Sequence, residues 1–279
     1  MAGEAEARVD LHVHSRRSDG LAEPAEAMEA ARAAGLAAVA LTDHDTLAGI
    51  GEARARAEEL GLPFVPGIEF SAYDESGTTH ILGYYVDSGD RELEEHLSEA
   101  RSSRTRRAAR MAEKLNALGI GLSLEEVEAQ ASHEGLLARP HVARALVAGG
   151  WVKSYAEAFN RFLAVGQPAY VPTRRIAPAE AIRLIHGAGG LAVLAHGGKT
   201  HGDEAIRELV AAGLDGLEIL HPDHGPAEIA RLQGLAAELD LLETGGSDWH
   251  GPHDSRRGQL ASQPVPFEWY DRLRVAALA

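Results

Sequence analysis

The 279-residue chain has an ordinary globular composition, 45% hydrophobic and 25% charged, which argues against intrinsic disorder. It has no cysteine and no apolar run near the roughly 18 residues of a membrane span, so disulfides and thiolate metal sites are excluded, membrane insertion is not expected, and the cytoplasm is the expected location. A formal net charge of −15 argues against duplex DNA as a partner, because binding along a nucleic-acid backbone relies on a basic surface.

The N-terminal part of the chain alternates short apolar runs with amphipathic stretches. A strand over "VDLHVH" precedes a helix over "PAEAMEAARAAG", which has proline in its first turn and glycine at its end. Next come a buried strand "LAAVALTDHD", a helix "TLAGIGEARARAEELG", a strand pair "PFVPGIEFSA" interrupted at Pro66-Gly67, and a strand "THILGYYVD". This alternation predicts a parallel sheet or barrel.

The middle of the chain has the pattern of helices only. Residues 92–163 begin with a long charged helix, and "SLEEVEAQAS" then carries a serine cap with a carboxylate three residues on. The alternation resumes afterwards with strands over "LAVLAH", "DGLEIL" and "LLETGGSDWH". We therefore expect residues 1–91 and 164–279 to form one α/β domain, and residues 92–163 to form a helical insertion.

Histidine and carboxylate residues gather where the predicted strands begin or end. In βα barrels the loops at the carboxyl ends of the strands converge on one face, and side-chain alternation puts His12 and His14 on the same side of their strand. One such histidine is usually a hydrogen-bonded surface residue, but nine convergent groups indicate a metal site. They exceed the four ligands of one tetrahedral ion, which favours two or three divalent ions bridged by Glu69 and suited to phosphoester hydrolysis. The candidate ligands are His12, His14, Asp19, His44, Glu69, His80, His196, Asp248 and His250.

The motifs "HVHSRRSDG", "LTDHDTLAGI", "GIEFSA", "HILGY", "LAH" and "TGGSDWHG" resemble, in order and spacing, those of the PHP (polymerase and histidinol phosphatase) family. The resemblance implies a distorted seven-stranded (β/α) barrel with metals at its carboxyl face and a small all-helical insertion. It also implies three ligand sets: His12, His14, Glu69 and Asp248 for one ion, Asp19, His44 and His250 for a second, and Glu69, His80 and His196 for a third.

Within the family, the motifs "ARPHVARAL" and "PAYVP" resemble those of one subgroup of phosphoesterases. Members of this subgroup remove the 3'-phosphate of nucleoside 3',5'-bisphosphates, and some of them also degrade short RNA from the 5' end. The expected partners are therefore a small nucleotide and short single-stranded RNA. Mn²⁺ is the favoured ion, with Zn²⁺, Fe²⁺ or Mg²⁺ as alternatives, and we expect attack by a hydroxide bound to the metals. Gln167 replaces a lysine common in relatives, which leaves the exact substrate open.

Two alternatives stay open: a phosphatase for histidinol phosphate or another small phosphomonoester, and a non-catalytic metal-binding PHP module. A phosphate-release assay separates the first, and metal binding without turnover would indicate the second.

Further residues are candidates for binding the substrate or for catalysis. Arg139 and His141 within the insertion, and Arg174 and Arg175 after it, are predicted to bind a second phosphate, because guanidinium pairs bidentately with phosphate. The structural alternative for Arg139 is a role at the start of a helix. His221 and His224 follow the strand "DGLEIL", and we expect one of them to protonate the leaving oxygen or to contact the phosphate. The candidate catalytic residues are Asp19, His221 and His224.

Overall fold

The computed structural model describes residues 7–74, 77–130, 137, 139–172, 176–252 and 259–279. The chain forms two compact units, the first made of Met1–Glu94 with Ile176–Ala279 and the second of Glu95–Arg175. The sequence pattern places the corresponding breaks at residues 92 and 163, and that division stays a prediction.

In the described part of the chain, the strands of the first unit form one sheet of eight. In chain order they are β1 (Arg8–Asp10), β2 (Ala38–Leu41), β3 (Phe64–Asp74), β4 (Gly77–Tyr84), β5 (Leu191–Leu194), β6 (Gly216–Leu220), β7 (Leu242–Gly245) and β8 (Val265–Pro266). Their order in the sheet is β7-β6-β5-β4-β3-β2-β1-β8. The Leu11 amide donates to the Gly245 carbonyl at 3.1 Å, and Val13 pairs with Trp249. Because these contacts join the ends of β1 and β7, the sheet nearly closes into a barrel.

The predicted barrel fold is confirmed, with one strand more than the seven expected. The additional strand, β8, has two residues and pairs antiparallel with the start of β1 through Val9 and Val265. A two-residue strand has no alternation that a sequence pattern can reveal.

Helices lie in most of the connections between the strands and form all of the regular structure described in the second unit. They are α1 (Pro24–Ala33), α2 (Ile50–Leu60), α3 (Arg91–Ala117), α4 (Leu124–Glu128), α5 (Arg139–Ala148), α6 (Tyr155–Ala158) with a π-helical turn at Phe159–Leu163, α7 (Pro178–Gly187), α8 (Asp203–Ala211), α9 (Pro226–Leu239) and α10 (Phe267–Ala276). The predicted serine cap is confirmed, since Ser123 and Glu126 form a reciprocal capping box at the start of α4. Among the helices of the described ranges, none combines the length and apolar character that a membrane crossing needs.

Each unit has its own apolar core. In the first unit, the buried faces of α1 and α2 include Met28 and Ala53 and pack in one cluster with Leu41 of β2. In the second unit, Met111 and Leu115 of α3 pack in one cluster with Val142 of α5. These two clusters have no residue in common.

The sheet is mixed, although the alternation of strands and helices predicted parallel strands. β4 pairs antiparallel with both β3 and β5, while the pairs β1–β2, β2–β3, β5–β6 and β6–β7 are parallel. No helix separates β3 from β4, so the chain turns back directly. The amino end of β4 therefore lies beside the carboxyl ends of its neighbours, and His80 pairs with Ser71 there.

Two further predictions about strands are wrong in detail. Pro66 does not interrupt β3, which is continuous. It pairs with Leu41 at the end of β2, and the Pro66 carbonyl accepts a hydrogen bond from the Tyr85 amide at 2.7 Å. The strand predicted over "VDLHVH" ends at Asp10. The chain beyond it continues along the barrel by single pairs, such as Val13 with Trp249.

Gly246 follows β7 where the chain passes β1 closely. A Cβ atom there would overlap the Cβ of His12 and lie 2.5 Å from the His12 backbone nitrogen. We expect Gly246→Ala to lower the free energy of unfolding by about 1–3 kcal/mol, the usual cost of overpacking, as measured by urea denaturation.

Gly234 provides the control, because it lies in α9 with no atom within 4 Å of an added Cβ. Gly234→Ala should raise the free energy of unfolding by up to about 1 kcal/mol, since alanine favours the helix. A Gly246→Ala variant as stable as the parent would contradict the close approach.

Candidate metal centre

The nine predicted ligands all belong to the first unit and gather at one end of its barrel. His12, His14 and Asp19 follow β1, His44 follows β2, Glu69 lies in β3, His80 in β4, His196 follows β5, and Asp248 and His250 follow β7. Backbone pairing continues past the strands and holds these segments in place. The His14 amide donates to the Trp249 carbonyl at 2.8 Å, and the Glu69 amide donates to the Asp43 carbonyl at 3.2 Å.

Glu69 lies at the centre of the group, and its carboxylate is buried. Five imidazoles approach it: Oε2 lies 3.3 Å from His12 Nε2, 3.2 Å from His14 Nε2 and 3.1 Å from His44 Nδ1, and Oε1 lies 2.7 Å from His80 Nδ1 and 3.1 Å from His196 Nε2. This placement matches the bridging role predicted for Glu69 from the sequence.

Asp248 and Asp19 flank this centre on two sides. Asp248 Oδ1 lies 3.2 Å from His14 Nε2 and 3.5 Å from His12 Nε2. Asp19 Oδ1 lies 3.1 Å from His250 Nε2 and 3.9 Å from His44 Nε2. The side chain of Asp19 is 54% exposed, so it lies at the open side of the group.

The geometry groups these side chains much as the family resemblance implies. Three groups have ligand atoms within 4.8 Å of one another: His12 with His14, Glu69 and Asp248; His14 with Asp19, His44 and His250; and His44 with Glu69 and His80. The first is the implied set itself and the second adds His14. The third has His44 in place of His196, although His196 also reaches Glu69.

The hydrogen bonds of the outer ring nitrogens show that these groups fit cations. His250 Nδ1 donates to the backbone carbonyl of Asp248 at 2.8 Å, so a neutral ring turns the lone pair of Nε2 towards Asp19. A lone pair facing a carboxylate at 3.1 Å is unfavourable unless a proton or a metal ion lies between them. His14 Nε2, His44 Nδ1 and His250 Nε2 are buried and make no hydrogen bond with the residues described. Imidazole and carboxylate ligands without sulfur suit Mn²⁺, Zn²⁺ or Fe²⁺.

The carboxylates and imidazoles of the group shift one another's pKa values. Burial by itself would lower the pKa of His14, but the carboxylates of Asp248 and Glu69 raise it to about 10. Burial would raise the pKa of Glu69, yet the surrounding imidazoles, His44 first among them, hold it well below its usual range. The carboxylates that favour a proton on His14 would favour a divalent cation there as well, and a bound cation would let the imidazoles act as neutral ligands.

The two histidines after β6 differ in what their nitrogens do. His221 Nδ1 accepts a hydrogen bond from the Asp223 amide at 3.1 Å, so the proton of a neutral ring is on Nε2, 3.6 Å from Asp248 Oδ2. His224 donates from Nδ1 to the Ile219 carbonyl at 2.9 Å and accepts at Nε2 from the Gly198 amide at 2.9 Å. Only His221 therefore has a proton-bearing nitrogen directed into the group, and His224 holds the loop after His196.

Of the four residues predicted to bind a second phosphate, the structure describes two. Arg139 and His141 begin α5 in the second unit, where the Arg139 guanidinium lies 5.7 Å from the centres of the Phe159 and Tyr170 rings. It also donates to the Leu163 carbonyl at 3.5 Å, in line with the helix-start alternative. Arg174 and Arg175 lie outside the described residues.

The PHP domain family matches residues 10–165 of the chain, more than half of its length. The chain belongs to the PHP family. Over 265 residues it is 34% identical to the 3',5'-nucleoside bisphosphate phosphatase of Chromobacterium violaceum, covering 93% of each chain. Over 250 residues it is 35% identical to the 5'-3' exoribonuclease of Haemophilus influenzae, covering 88% of this chain and 90% of the relative.

A crystal structure from Bifidobacterium adolescentis, assigned as a metal-dependent phosphoesterase, superimposes with a TM-score of 0.81 at 35% identity and covers 98% of this chain and 97% of the other. The similarity therefore extends over both units of this PHP chain and supports the barrel described above.

Glu218 in β6 is a site residue of this PHP chain that the sequence analysis did not single out. Its carboxylate is buried and accepts a hydrogen bond from His12 Nδ1 at 2.9 Å. The available signal was a charged residue among apolar neighbours in the short strand "DGLEIL", since acidic side chains are rarely buried without a partner.

Asp43 orders the loop that carries Asp19. Its Oδ1 accepts hydrogen bonds from the Ser15 amide at 2.7 Å and the Ser18 hydroxyl at 2.6 Å, and its Oδ2 accepts from the Ser15 hydroxyl at 2.6 Å. Asp43 therefore supports the site in this PHP chain indirectly, by holding the backbone and the serine side chains of this loop.

Metal addition should stabilise the folded PHP chain, because the ligand groups exist only when the barrel is formed. At a free Mn²⁺ concentration 100 times the dissociation constant, one site adds about 2.7 kcal/mol. We expect the melting temperature to rise with Mn²⁺ and to fall again with EDTA, as followed by circular dichroism.

Glu69→Gln should remove most of that rise, because a neutral amide cannot bridge cations. Asp215→Asn is the matched control, since Asp215 also pairs with an imidazole, His186, at 2.8 Å but contacts none of the nine ligands. A parent-like rise in Glu69→Gln, or no rise in the parent with Mn²⁺, Zn²⁺ or Fe²⁺, would contradict the metal centre.

Proposed function

We propose that the chain is a metal-dependent phosphoesterase that removes the 3'-phosphate from nucleoside 3',5'-bisphosphates and also acts on short single-stranded RNA from the 5' end. The observation that carries this proposal is the convergence of five imidazoles on the buried carboxylate of Glu69 in a PHP chain. Relatives of similar identity, a bisphosphate phosphatase and an exoribonuclease, support the substrate class.

The nine ligands would hold two or three divalent ions, with Mn²⁺ favoured. Ions bound there supply Lewis acidity, which neutralises charge on phosphoryl oxygens and lowers the pKa of water. This local positive charge also explains how a chain with a net charge of −15 can accept an anionic substrate.

The exposure of the ligands indicates where the substrate enters. The side chains of His12 and His14 are fully buried, whereas those of His44, His80 and His196 are 16%, 22% and 24% exposed. The phosphoester therefore approaches along the side that these three histidines share with Asp19, and the His12 side excludes water.

His221 is the residue best placed to move a proton. Its Nε2 carries the proton of the neutral ring and is buried within 3.6 Å of Asp248. From there it can donate a hydrogen bond to a phosphoryl oxygen or a proton to the leaving oxygen. His224 has no nitrogen left for this role, so we assign it to holding the loop.

The predictions of the second phosphate site and of the location in the cell rest on the sequence alone. Arg139, His141, Arg174 and Arg175 stay the predicted contacts for a second phosphate, and the lack of cysteine stays the basis for a cytoplasmic location.

A panel of phosphoesters tests the proposed function. With Mn²⁺ we expect phosphate release from a nucleoside 3',5'-bisphosphate, with the 5'-monophosphate as the product on chromatography. Glu69→Gln should release none, while Asp215→Asn releases phosphate at the parental rate. Preference for histidinol phosphate would support the first alternative, and bound metal without turnover of any phosphoester would support the non-catalytic module.

His221→Ala should lower kcat by about 10²–10⁴-fold, the usual contribution of general acid–base catalysis. If His221 protonates the leaving oxygen, hydrolysis of p-nitrophenyl phosphate should be much less affected, because that leaving group needs no proton. His186→Ala, at an exposed imidazole paired with Asp215, is the control and should leave both rates unchanged. An unchanged kcat for the nucleotide in His221→Ala would remove His221 from the mechanism.

A further inference from the structure

Glu218 connects two of the candidate ligands with a single carboxylate. Its Oε1 accepts a hydrogen bond from His12 Nδ1 at 2.9 Å, and its Oε2 accepts one from the backbone amide of His196 at 2.7 Å. The side chains of Glu218 and His12 are fully buried. A buried carboxylate is retained at such a position only when its oxygens are bonded, and here both are.

The bond to His12 decides which ring nitrogen carries the proton. A carboxylate can only accept, so in a neutral His12 ring the proton lies on Nδ1 and the lone pair on Nε2. That Nε2 faces Glu69 Oε2 at 3.3 Å and Asp248 Oδ1 at 3.5 Å. With the proton on the other nitrogen, His12 would have no lone pair to offer at the centre of the site.

The bond to His196 supports a strained backbone. His196 has a φ of 33°, in the left-handed region that residues other than glycine rarely adopt. Residues that follow β6 also hold the chain after His196. The Gly198 amide donates to His224, and the Gly198 carbonyl accepts from Arg231 at 2.8 Å. Of these three contacts, the hydrogen bond to Glu218 is the one that His196 itself makes.

A direct role of Glu218 as a metal ligand is the competing explanation, since His12, Glu218 and His221 also lie within reach of one another. The hydrogen bonds oppose it. His12 Nδ1 is already donating to Glu218, and His221 Nδ1 is accepting from the Asp223 amide. The protonated Nε2 of His221 cannot ligate, so neither of these two imidazoles offers a lone pair beside Glu218.

We infer that Glu218 is a positioning residue of the metal centre: it fixes the tautomer of His12 and the backbone of His196 without ligating a metal. This inference rests on the proposed metal-dependent function. Carboxylate partners of metal-ligating histidines typically strengthen metal binding, and their loss weakens it about 10- to 100-fold.

The test is the metal affinity of Glu218→Gln, because a glutamine amide cannot accept both hydrogen bonds. We expect Mn²⁺ binding by isothermal titration calorimetry to weaken about 10- to 100-fold. The number of ions at saturation, measured by elemental analysis, should equal that of the parent. Phosphate release at saturating Mn²⁺ should return to within a few-fold of the parental rate.

Asp215→Asn is a closely matched control. Asp215 also accepts from an imidazole, His186 Nε2 at 2.8 Å, and from a backbone amide, that of Ala192 at 2.7 Å. Its replacement should leave the affinity for Mn²⁺ unchanged, which separates loss of positioning from the general loss of a histidine–carboxylate pair.

A spectroscopic readout follows the tautomer itself. In the Zn²⁺-loaded parent, the His12 Nδ1 proton should give a downfield NMR signal typical of a bond to a carboxylate. The signal should shift or disappear in Glu218→Gln and persist in Asp215→Asn. A purely structural role for Glu218 would leave the signal in place.

Should Glu218→Gln fail to fold, Glu218→Asp keeps the buried charge but is one methylene too short to span both donors, and its affinity should also fall at least about 10-fold. Parental affinity in either folded variant would overturn the inference, and so would the loss of one ion at saturation, which would make Glu218 a ligand. If Glu218→Gln weakens metal binding while the parent hydrolyses no phosphoester, only the proposed function fails.

Discussion

The balance of charge around Glu69 is the constraint on which the rest of the site depends. A buried carboxylate is costly unless positive charge or hydrogen-bond donors surround it. The barrel supplies these by directing imidazoles from β1, β2, β4 and β5 to its two oxygens. Asp248 and Asp19 add negative charge at the edges, so the assembled group has the charge and the ligand atoms to hold cations. Closure of the barrel is therefore what brings the candidate ligands together.

Much of this could be read from residue types and their spacing. His12 and His14 are two positions apart, and such a pair faces one side wherever the chain is extended, even though β1 itself ends at Asp10. The site does not need regular strand at that point, because single pairs such as Val13 with Trp249 keep the chain extended. The direction of β4 was the harder question. The periodicity of apolar residues indicates which face of the sheet a side chain lies on, but not the direction of its strand. The absence of a helical pattern between "GIEFSA" and "HILGYY" was the available sign of a hairpin.

The roles of the supporting residues could not be read in this way. His221 and His224 both follow β6 closely in the sequence, which does not distinguish them. Their hydrogen bonds give them different tautomers and different roles. Glu218 looked like one acid in an apolar strand. Its importance depends on His12, a residue 206 positions away, and on a backbone amide of the loop after β5. Such roles are set by which atom faces which partner, and only packed coordinates contain that information.

The order of the units along the chain has a consequence for how the protein is made. The second unit, Glu95–Arg175, is continuous, so it has all of its segments once Arg175 has been synthesised. The first unit is split, and Asp248 and His250 are synthesised after all of the other seven candidate ligands. During translation the early histidines therefore wait without their final partners, and domains generally fold as units only when complete. Asp248 and His250 complete two of the three candidate ligand groups, so a nascent chain stalled before Asp248 would hold most of the ligands while both of these groups stay incomplete.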